Sequence, residues 1–577
     1  MTLRYLVVLE RSAGGPVSEL DPGLSRLGLR QAHSVRGMTI WTNQPDKLLA
    51  TPSGLTIVLG RIFSRGATPV RVAALDPAFD RRRDLPGHLS TGFWGNYLLL
   101  QVSSIGSVVF FRDPGGALPC YVRETPERML LFSDLGVARA AGITSFAVDW
   151  ANVAACLFWP TMRTRQTSLE QVYEIPQGWS LGVGGPDFSQ LRQIWSPWDH
   201  VCASTFADGA LREALATTVI GTTRALASDY SSIQLCLSGG LDSSIVATAL
   251  RGSNVLGLTL VSPGADGDER REAALVADYL GMELVARDYR MEDVDLGRSS
   301  AAHLPRPTGD PGRQGFDQAV LEVSEARGTQ ALFTGFGGDN VFCLMRSATP
   351  LADRIRSRSS LHGIWSTLTD VCALTGCSLT TAVRLASTKL PGGATRYRWE
   401  RDARFLSEDL VAAMPEQPDH PWLEAPQHAL AGQAAHISKL IRTQNYAEGL
   451  DRTVRLEMIN PLLSQPVIEL CLSIPTWKWI EGGRDRAVAR GAFEKHLPAA
   501  IISRRGKGGP SGYYRQILGA RFEEIRVLLL QGLLVGNGLI DPKSLEKGMA
   551  ASSDLDGSEY SRILDLVDAE IWVRQYS

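Results

Sequence analysis

The stretch Ser238-Gly239-Gly240-Leu241-Asp242-Ser243-Ser244 narrows the fold more than any other part of this chain. It follows an apolar run, Ile233-Gln234-Leu235-Cys236-Leu237, and opens a segment of helical character. A strand that ends in paired glycines and turns at once into a helix offers an anion unpaired N–H groups and the positive end of a helix dipole, and glycine lets the backbone come close. The serines add hydroxyl donors, and Asp242 is placed to hold a divalent cation on phosphate oxygens. The pattern is a phosphate cradle without the lysine of a GxxxxGK[ST] loop, which occurs nowhere in the 577 residues.

The surroundings agree with it. Strand signals at 232–237, 255–261, 283–288 and 330–334 alternate with helix signals at 243–251, 269–280 and 316–326. That alternation predicts a parallel sheet with helices on both faces and a ligand beyond the carboxyl ends of the strands. From about 351 to 448 the chain reads as helical, with a proline-rich break at 415–426. The first 200 residues differ: short β-branched runs at 56–59, 94–102, 107–111 and 129–132 are set apart by turn signals such as Asp113-Pro114-Gly115-Gly116. The expected organisation is α/β overall, a β-rich sandwich over 1–203 followed by an α/β domain over 204–577 with a helical insertion at about 351–448.

Charge and composition exclude several classes. With 59 basic and 61 acidic residues the chain lacks the clustered positive excess of a dedicated nucleic-acid binder. Eight cysteines are scattered, no CxxC occurs, and a disulfide framework or structural zinc is not expected. No run is long enough for a signal sequence or a transmembrane segment, so a cytoplasmic protein is expected. Only eight of the basic residues are lysine, so a lysine in a special setting carries information.

Three further stretches provide chemistry. Thr334-Gly335-Phe336-Gly337-Gly338-Asp339-Asn340 is a second glycine-rich loop behind a strand signal, and Asp242 with Asp339 would make a carboxylate pair for one Mg2+. Ser503-Arg504-Arg505-Gly506-Lys507-Gly508-Gly509-Pro510 follows an amphipathic helix signal from Arg486 to Leu497. Arg455-Leu456-Glu457-Met458-Ile459-Asn460-Pro461 places a glutamate before an apolar turn, where it either serves the site or pairs with a neighbour such as Arg455. His303 and His496 are candidate bases by residue type alone.

These motifs resemble the asparagine synthetase-like group of PP-loop ATP enzymes, which adenylate a carboxylate, release pyrophosphate and pass the acyl group to an amine. The resemblance implies ATP and Mg2+. Asp242 and Asp339 would hold the metal, and Ser238, Gly239, Gly240, Leu241, Ser243 and Ser244 would cradle phosphates. Backbone near Leu237, Leu260 and Gly335 would hold adenine and ribose. Lys507 would offset charge in the transition state, and Glu457 would face the site to orient a base or bind an amine. The group carries Glu or Tyr where this chain has Phe336, which offers no proton acceptor.

The N-terminal part is similar to the glutaminase-type Ntn-hydrolase domain of the same group at Thr91–Tyr97, Phe111–Gly116, Leu131–Asp134 and Ile175–Gly178. Glutamine-using members have Cys after the initiator Met. Here Thr2 follows, with no cysteine before Cys120, so a degenerate amidase domain is expected. Within the group the chain looks most like a lasso peptide macrocyclase, in which an Asp or Glu side chain of a precursor core peptide is adenylated and captured by the peptide's own N-terminal amine. That implies a precursor peptide, a leader-binding protein and a leader peptidase as partners. The alternative is a β-lactam synthetase-like or ammonia-using small-molecule amide ligase. A tRNA-modifying enzyme and a non-catalytic scaffold fit the residues less well.

Overall fold

Strand-forming runs of the N-terminal third pair into two antiparallel six-stranded sheets. The computed structural model describes residues 2–10, 17–66, 68–103, 106–184, 190–201, 208–261, 267–390, 397–448, 452–506, 508–509, 511–550 and 557–576. Lys507, Cys202 and the expected domain boundary at 203/204 lie outside the described residues.

One sheet contains Tyr5–Glu10 between Met38–Thr42 and Arg128–Phe132; the other contains Thr56–Ser64 beside Phe93–Val102. Alternation along each strand fills the space between them: Tyr5, Val7 and Leu131 from the first sheet meet Leu59, Leu100 and Phe110 from the second. The opposite faces are covered too. Leu6, Val8 and Phe132 pack on the helices Leu135–Ala140 and Trp150–Phe158, whereas Val58, Leu99 and Phe111 pack on Leu85–Gly92. Burial on both sides makes the long strands apolar almost throughout, which is why runs rather than strict alternation mark them. The layering is helix, sheet, sheet, helix.

The remainder is built on a five-stranded parallel sheet in the order Glu283–Asp288, Val255–Val261, Ile233–Cys236, Ala331–Phe333, Glu457–Ile459. The first four match the sequence signals. The fifth, read from the sequence only as a glutamate before a turn, is a three-residue edge strand, too short to show a period. Among the described residues, the stretch 351–448 holds helices such as Leu361–Thr375, Leu379–Ser387 and Ala431–Glu448. No helix of the described residues is long and apolar enough to cross a membrane.

The two parts meet through buried ion pairs. Arg61 and Lys47 of the sandwich hold Glu457 of the edge strand at 2.6 and 3.1 Å. Arg112 and Arg163 share Glu174 with each other and reach Glu448 at 3.1 and 2.6 Å, where Tyr121 adds a hydroxyl at 3.0 Å.

Candidate functional site

Both glycine-rich loops lie at the carboxyl ends of the central strands, where a parallel sheet leaves a crevice. The first passes from strand Ile233–Cys236 into helix Leu241–Ala249. Gly239 has φ +64° and lies against the next helix: a Cβ there would meet Glu272 and Ala273 backbone at 2.4–2.6 Å, so no other residue closes this turn without displacing that helix. The second loop follows strand Ala331–Phe333 and presses onto the first. A Cβ on Gly338 would stand 2.3 Å from the carboxyl carbon of Asp242. The glycines therefore bring the carboxylates of Asp242 and Asp339 to the mouth of one cavity.

That cavity has a volume of about 960 Å³. Of the residues named from the sequence, Leu237, Ser238, Gly240, Leu241, Asp242, Ser243, Leu260, Gly335 and Asp339 line it. Ser244 is fully buried behind the loop and donates from Oγ to the Gly240 carbonyl at 2.7 Å; Gly239 shapes the turn from behind. Ser238 and Ser243 face each other, Oγ to Oγ, at 3.2 Å. Phe336 also lines the cavity, with the ring of Tyr446 edge-on at 6.3 Å.

The centre of the site is a residue that sequence reasoning passed over. Arg486 bridges the two carboxylates, its Nη1 lying 3.0 Å from Asp242 Oδ2 and 2.5 Å from Asp339 Oδ1. Its backbone is left-handed, φ 51° and ψ 37°, immediately before helix Ala487–Phe493. The sequence suggested Arg486 as the first residue of that helix; the structure places it outside, as a bend that aims the side chain back into the cleft. Asp485 fixes the bend by accepting from Arg486 Nε at 3.2 Å and from Arg490 at 2.7 Å. Burial opposes the Arg486 charge, but Asp242, Asp339 and Asp485 outweigh it and hold the guanidinium above its usual pKa. The only sequence clues were the flexible Gly482-Gly483 pair and the charged Arg484-Asp485-Arg486 run behind it.

Six arginines line the cavity, Arg313, Arg346, Arg486, Arg490, Arg504 and Arg505, against four carboxylates, Asp242, Asp339, Asp485 and Glu269. This positive excess suits a polyphosphate. Glu269 ties the C-terminal basic loop down, accepting from Arg504 at 2.8 Å and from the Gly508 N–H at 3.3 Å. Lys507 lies outside the described residues, while Gly506 and Gly508 on either side line the cavity.

Glu457 does not point where it was expected to. Its neighbour Met458 lines the large cavity, but the Glu457 carboxylate turns towards the sandwich, into a separate space of about 90 Å³ shared with Thr2, Lys47, Arg61 and His303. Burial would raise its pKa; Arg61 and Lys47 overcome that and lower it to about 2. The suggested partner Arg455 pairs with Glu325 instead. His303 is held through Nε2 by the Glu448 carbonyl at 3.1 Å, and His496 is exposed and does not line the cavity.

The position between Asp242 and Asp339 already accommodates a cation, the Arg486 guanidinium, so the donor set fits Mg2+: two hard carboxylates at a phosphate-sized cradle.

Comparison with known proteins adds the following. A family model described as "Asparagine synthase" matches residues 210–574. No curated protein matches in sequence. Among solved structures, "Structure of the allosteric regulatory enzyme of purine biosynthesis" matches at 10% identity and a TM-score of 0.20, over 50% of this chain and 74% of that one. The glutamine phosphoribosylpyrophosphate amidotransferase from B. subtilis, complexed with ADP and GMP, matches at 8% identity and a TM-score of 0.21, over 49% of this chain and 65% of that one.

Proposed function

The chain belongs to the asparagine synthase family, and from that premise we propose that it is an ATP- and Mg2+-dependent peptide cyclase of the lasso type. The observation that carries the reading is the meeting of Asp242 and Asp339 on one cation position at the mouth of a phosphate cradle. In the proposed reaction an Asp or Glu side-chain carboxylate of a core peptide bonds to the α-phosphorus of ATP, and the bond to pyrophosphate breaks. The peptide's N-terminal amine then bonds to the acyl carbon, AMP leaves with the C–O electrons, and the amine gives up a proton. Bound Mg2+ supplies charge neutralisation on the pyrophosphate.

The protein's own groups do the rest. The N–H groups of the Ser238–Gly240 loop and the start of helix Leu241–Ala249 bind phosphate oxygens. Lys507, from the loop tethered by Glu269, offsets negative charge as it grows at the reacting centre. Phe336 excludes water and accepts no proton, so the amine's proton goes to another group. The cavity volume of about 960 Å³ lies at the upper end of small-ligand pockets and leaves space for a peptide segment beside a nucleotide. The sandwich, with Thr2 in place of cysteine and charged residues filling its cavity, supplies no ammonia in this reading. A precursor peptide, a leader-binding protein and a leader peptidase complete the proposed system.

The test is the intact mass of the core peptide after incubation with protein, ATP and Mg2+. Loss of one water with one AMP per peptide is expected. AMP formed from small carboxylates without peptide would move the assignment to a small-molecule amide ligase, and absence of AMP under every condition would overturn the ligase reading.

A further inference from the structure

Arg313 opens the helix Arg313–Arg327 and lines the cleft cavity. A positive charge in the first turn of a helix works against the helix dipole, so the helix itself gives no reason for arginine there. The residue is nevertheless held firmly. Asp310 accepts from Arg313 Nε at 3.1 Å, from the Gly312 N–H at 3.0 Å and from the Tyr514 hydroxyl at 2.7 Å. The guanidinium carbon stands over the Tyr446 ring, 5.5 Å from its centre. A Cβ on Gly312 would come within 2.2 Å of the Tyr514 ring, so this loop lies directly on helix Ser511–Ala520.

The clamp leaves the far end of the side chain open. Asp310 takes only Nε, and among the described residues no protein oxygen engages either Nη. The side chain is 34% exposed, in the wall of the cavity. The other cavity arginines differ. Arg486, Arg490 and Arg504 each place a terminal nitrogen on a protein carboxylate, at 2.5, 2.7 and 2.8 Å. Arg346 lies 3.6 Å from Asp485, and Arg505 is exposed. Arg313 thus combines a fixed position with an unused fork. The surroundings are aromatic: Tyr289, Phe316, Tyr446, Tyr513 and Tyr514 line the same cavity. Tyr446 also meets Phe336, which ties this wall to the loop that carries Asp339.

We propose that Arg313 receives the carboxylate of the acid to be activated, through two parallel hydrogen bonds from its Nη nitrogens. The proposal rests on the ligase reading of this site, though not on the lasso assignment. A planar guanidinium matches a carboxylate oxygen for oxygen. Phosphate oxygens have the N–H groups of the first glycine-rich loop to bind. The aromatic wall offers them nothing beyond the fork, whereas the body of an organic acid packs on those rings. Asp310 and Tyr446 are positioning residues that set the angle of the fork.

The probes are N-acetylglutamate N-methylamide, which carries a side-chain carboxylate, and N-acetylglutamine N-methylamide, its neutral isostere. Each is titrated against the full chain saturated with Mg2+ and α,β-methylene-ATP, with ligand-observed NMR as the readout. The acid should bind at least about tenfold more tightly than the amide. Arg313→Gln should abolish that preference, lowering acid affinity by about tenfold or more and leaving the amide as it was. Arg313→Lys keeps a charge opposite Asp310 but not the fork, so it should fall between and serves equally should the Gln variant fail to fold. Affinity for α,β-methylene-ATP should stay near that of the wild type in both. Equal binding of acid and amide by the wild type, or no binding of the acid, would overturn the proposal. So would a loss of nucleotide affinity in Arg313→Gln with the acid preference intact, which assigns the fork to phosphate. Neither probe cyclises, so a core peptide that fails to lose water removes the lasso assignment and leaves this result standing.

Discussion

The domain junction and the cleft are made from the same materials, arginine against carboxylate, yet they differ in access to solvent. At the junction Arg61 is 3% exposed and its partner Glu457 12%; in the cleft Arg486 and Asp242 are each 14% and Asp339 45% exposed, and all three line the cavity of about 960 Å³. A charge pair cut off from water is satisfied by its partner or by nothing, so losing one member leaves the other stranded. A pair at the rim of a cavity exchanges its partner for water, metal or ligand at little cost. The junction is thus a permanent weld, and the cleft a set of charges held ready for exchange.

Substitutions in the two places should separate catalysis from stability. Asp242→Asn or Asp339→Asn should lower AMP formation by about 10²–10³-fold or more, the scale of a lost electrostatic contact to the reacting centre. Their thermal midpoints should stay near that of the parent. A fall in stability of the size seen at the junction would erase the contrast.

Glu457→Ala leaves Lys47 buried without its carboxylate and Arg61 with Asp229 alone, and should cost about 3–5 kcal/mol, read as a lower urea midpoint at unchanged slope. Should this variant instead keep full stability and lose turnover, Glu457 belongs to the reaction after all. Acid should act on the same weld. The Glu457 pKa is lowered from 4.5 to about 2 in the folded protein, so its contribution is complete above about pH 4.5 and is lost as pH falls through 2. Glu457→Gln should flatten that part of the stability profile, and an unchanged acid limb would place the sensitivity elsewhere.

The smallest effect is the most specific. Arg486→Ala removes the cation that bridges Asp242 and Asp339. The nucleotide-free protein should then bind Mn2+ about tenfold more tightly, as judged by calorimetry or electron paramagnetic resonance. Equal affinity would mean that the two carboxylates do not form one cation position.

The sequence was most legible where chemistry restricts residue type. SGGLDSS and TGFGGDN each need glycine for close approach and an acid at one place, and the strand–loop–helix order around them leaves few folds. The sandwich was readable as runs of apolar residues because both faces of its sheets are covered. Glu457 was not readable: its partners Lys47 and Arg61 lie some 400 residues away, and on a three-residue edge strand one step decides which face a side chain takes. Arg486 escaped because a helical period gives no sign that its first residue lies in the left-handed region.

The guanidinium lodged between Asp242 and Asp339 also weights the order in which guests would arrive. A bare metal ion would have to displace an arginine that then keeps Asp485 alone as its counter-charge, and a bare nucleotide would meet two carboxylates that Arg486 only partly neutralises. A metal–triphosphate complex would ease both conflicts together, because Asp242 and Asp339 would hold the cation while the phosphates offered Arg486 a new partner. Residue 486 would thus act as a toll on either component alone and not on the pair.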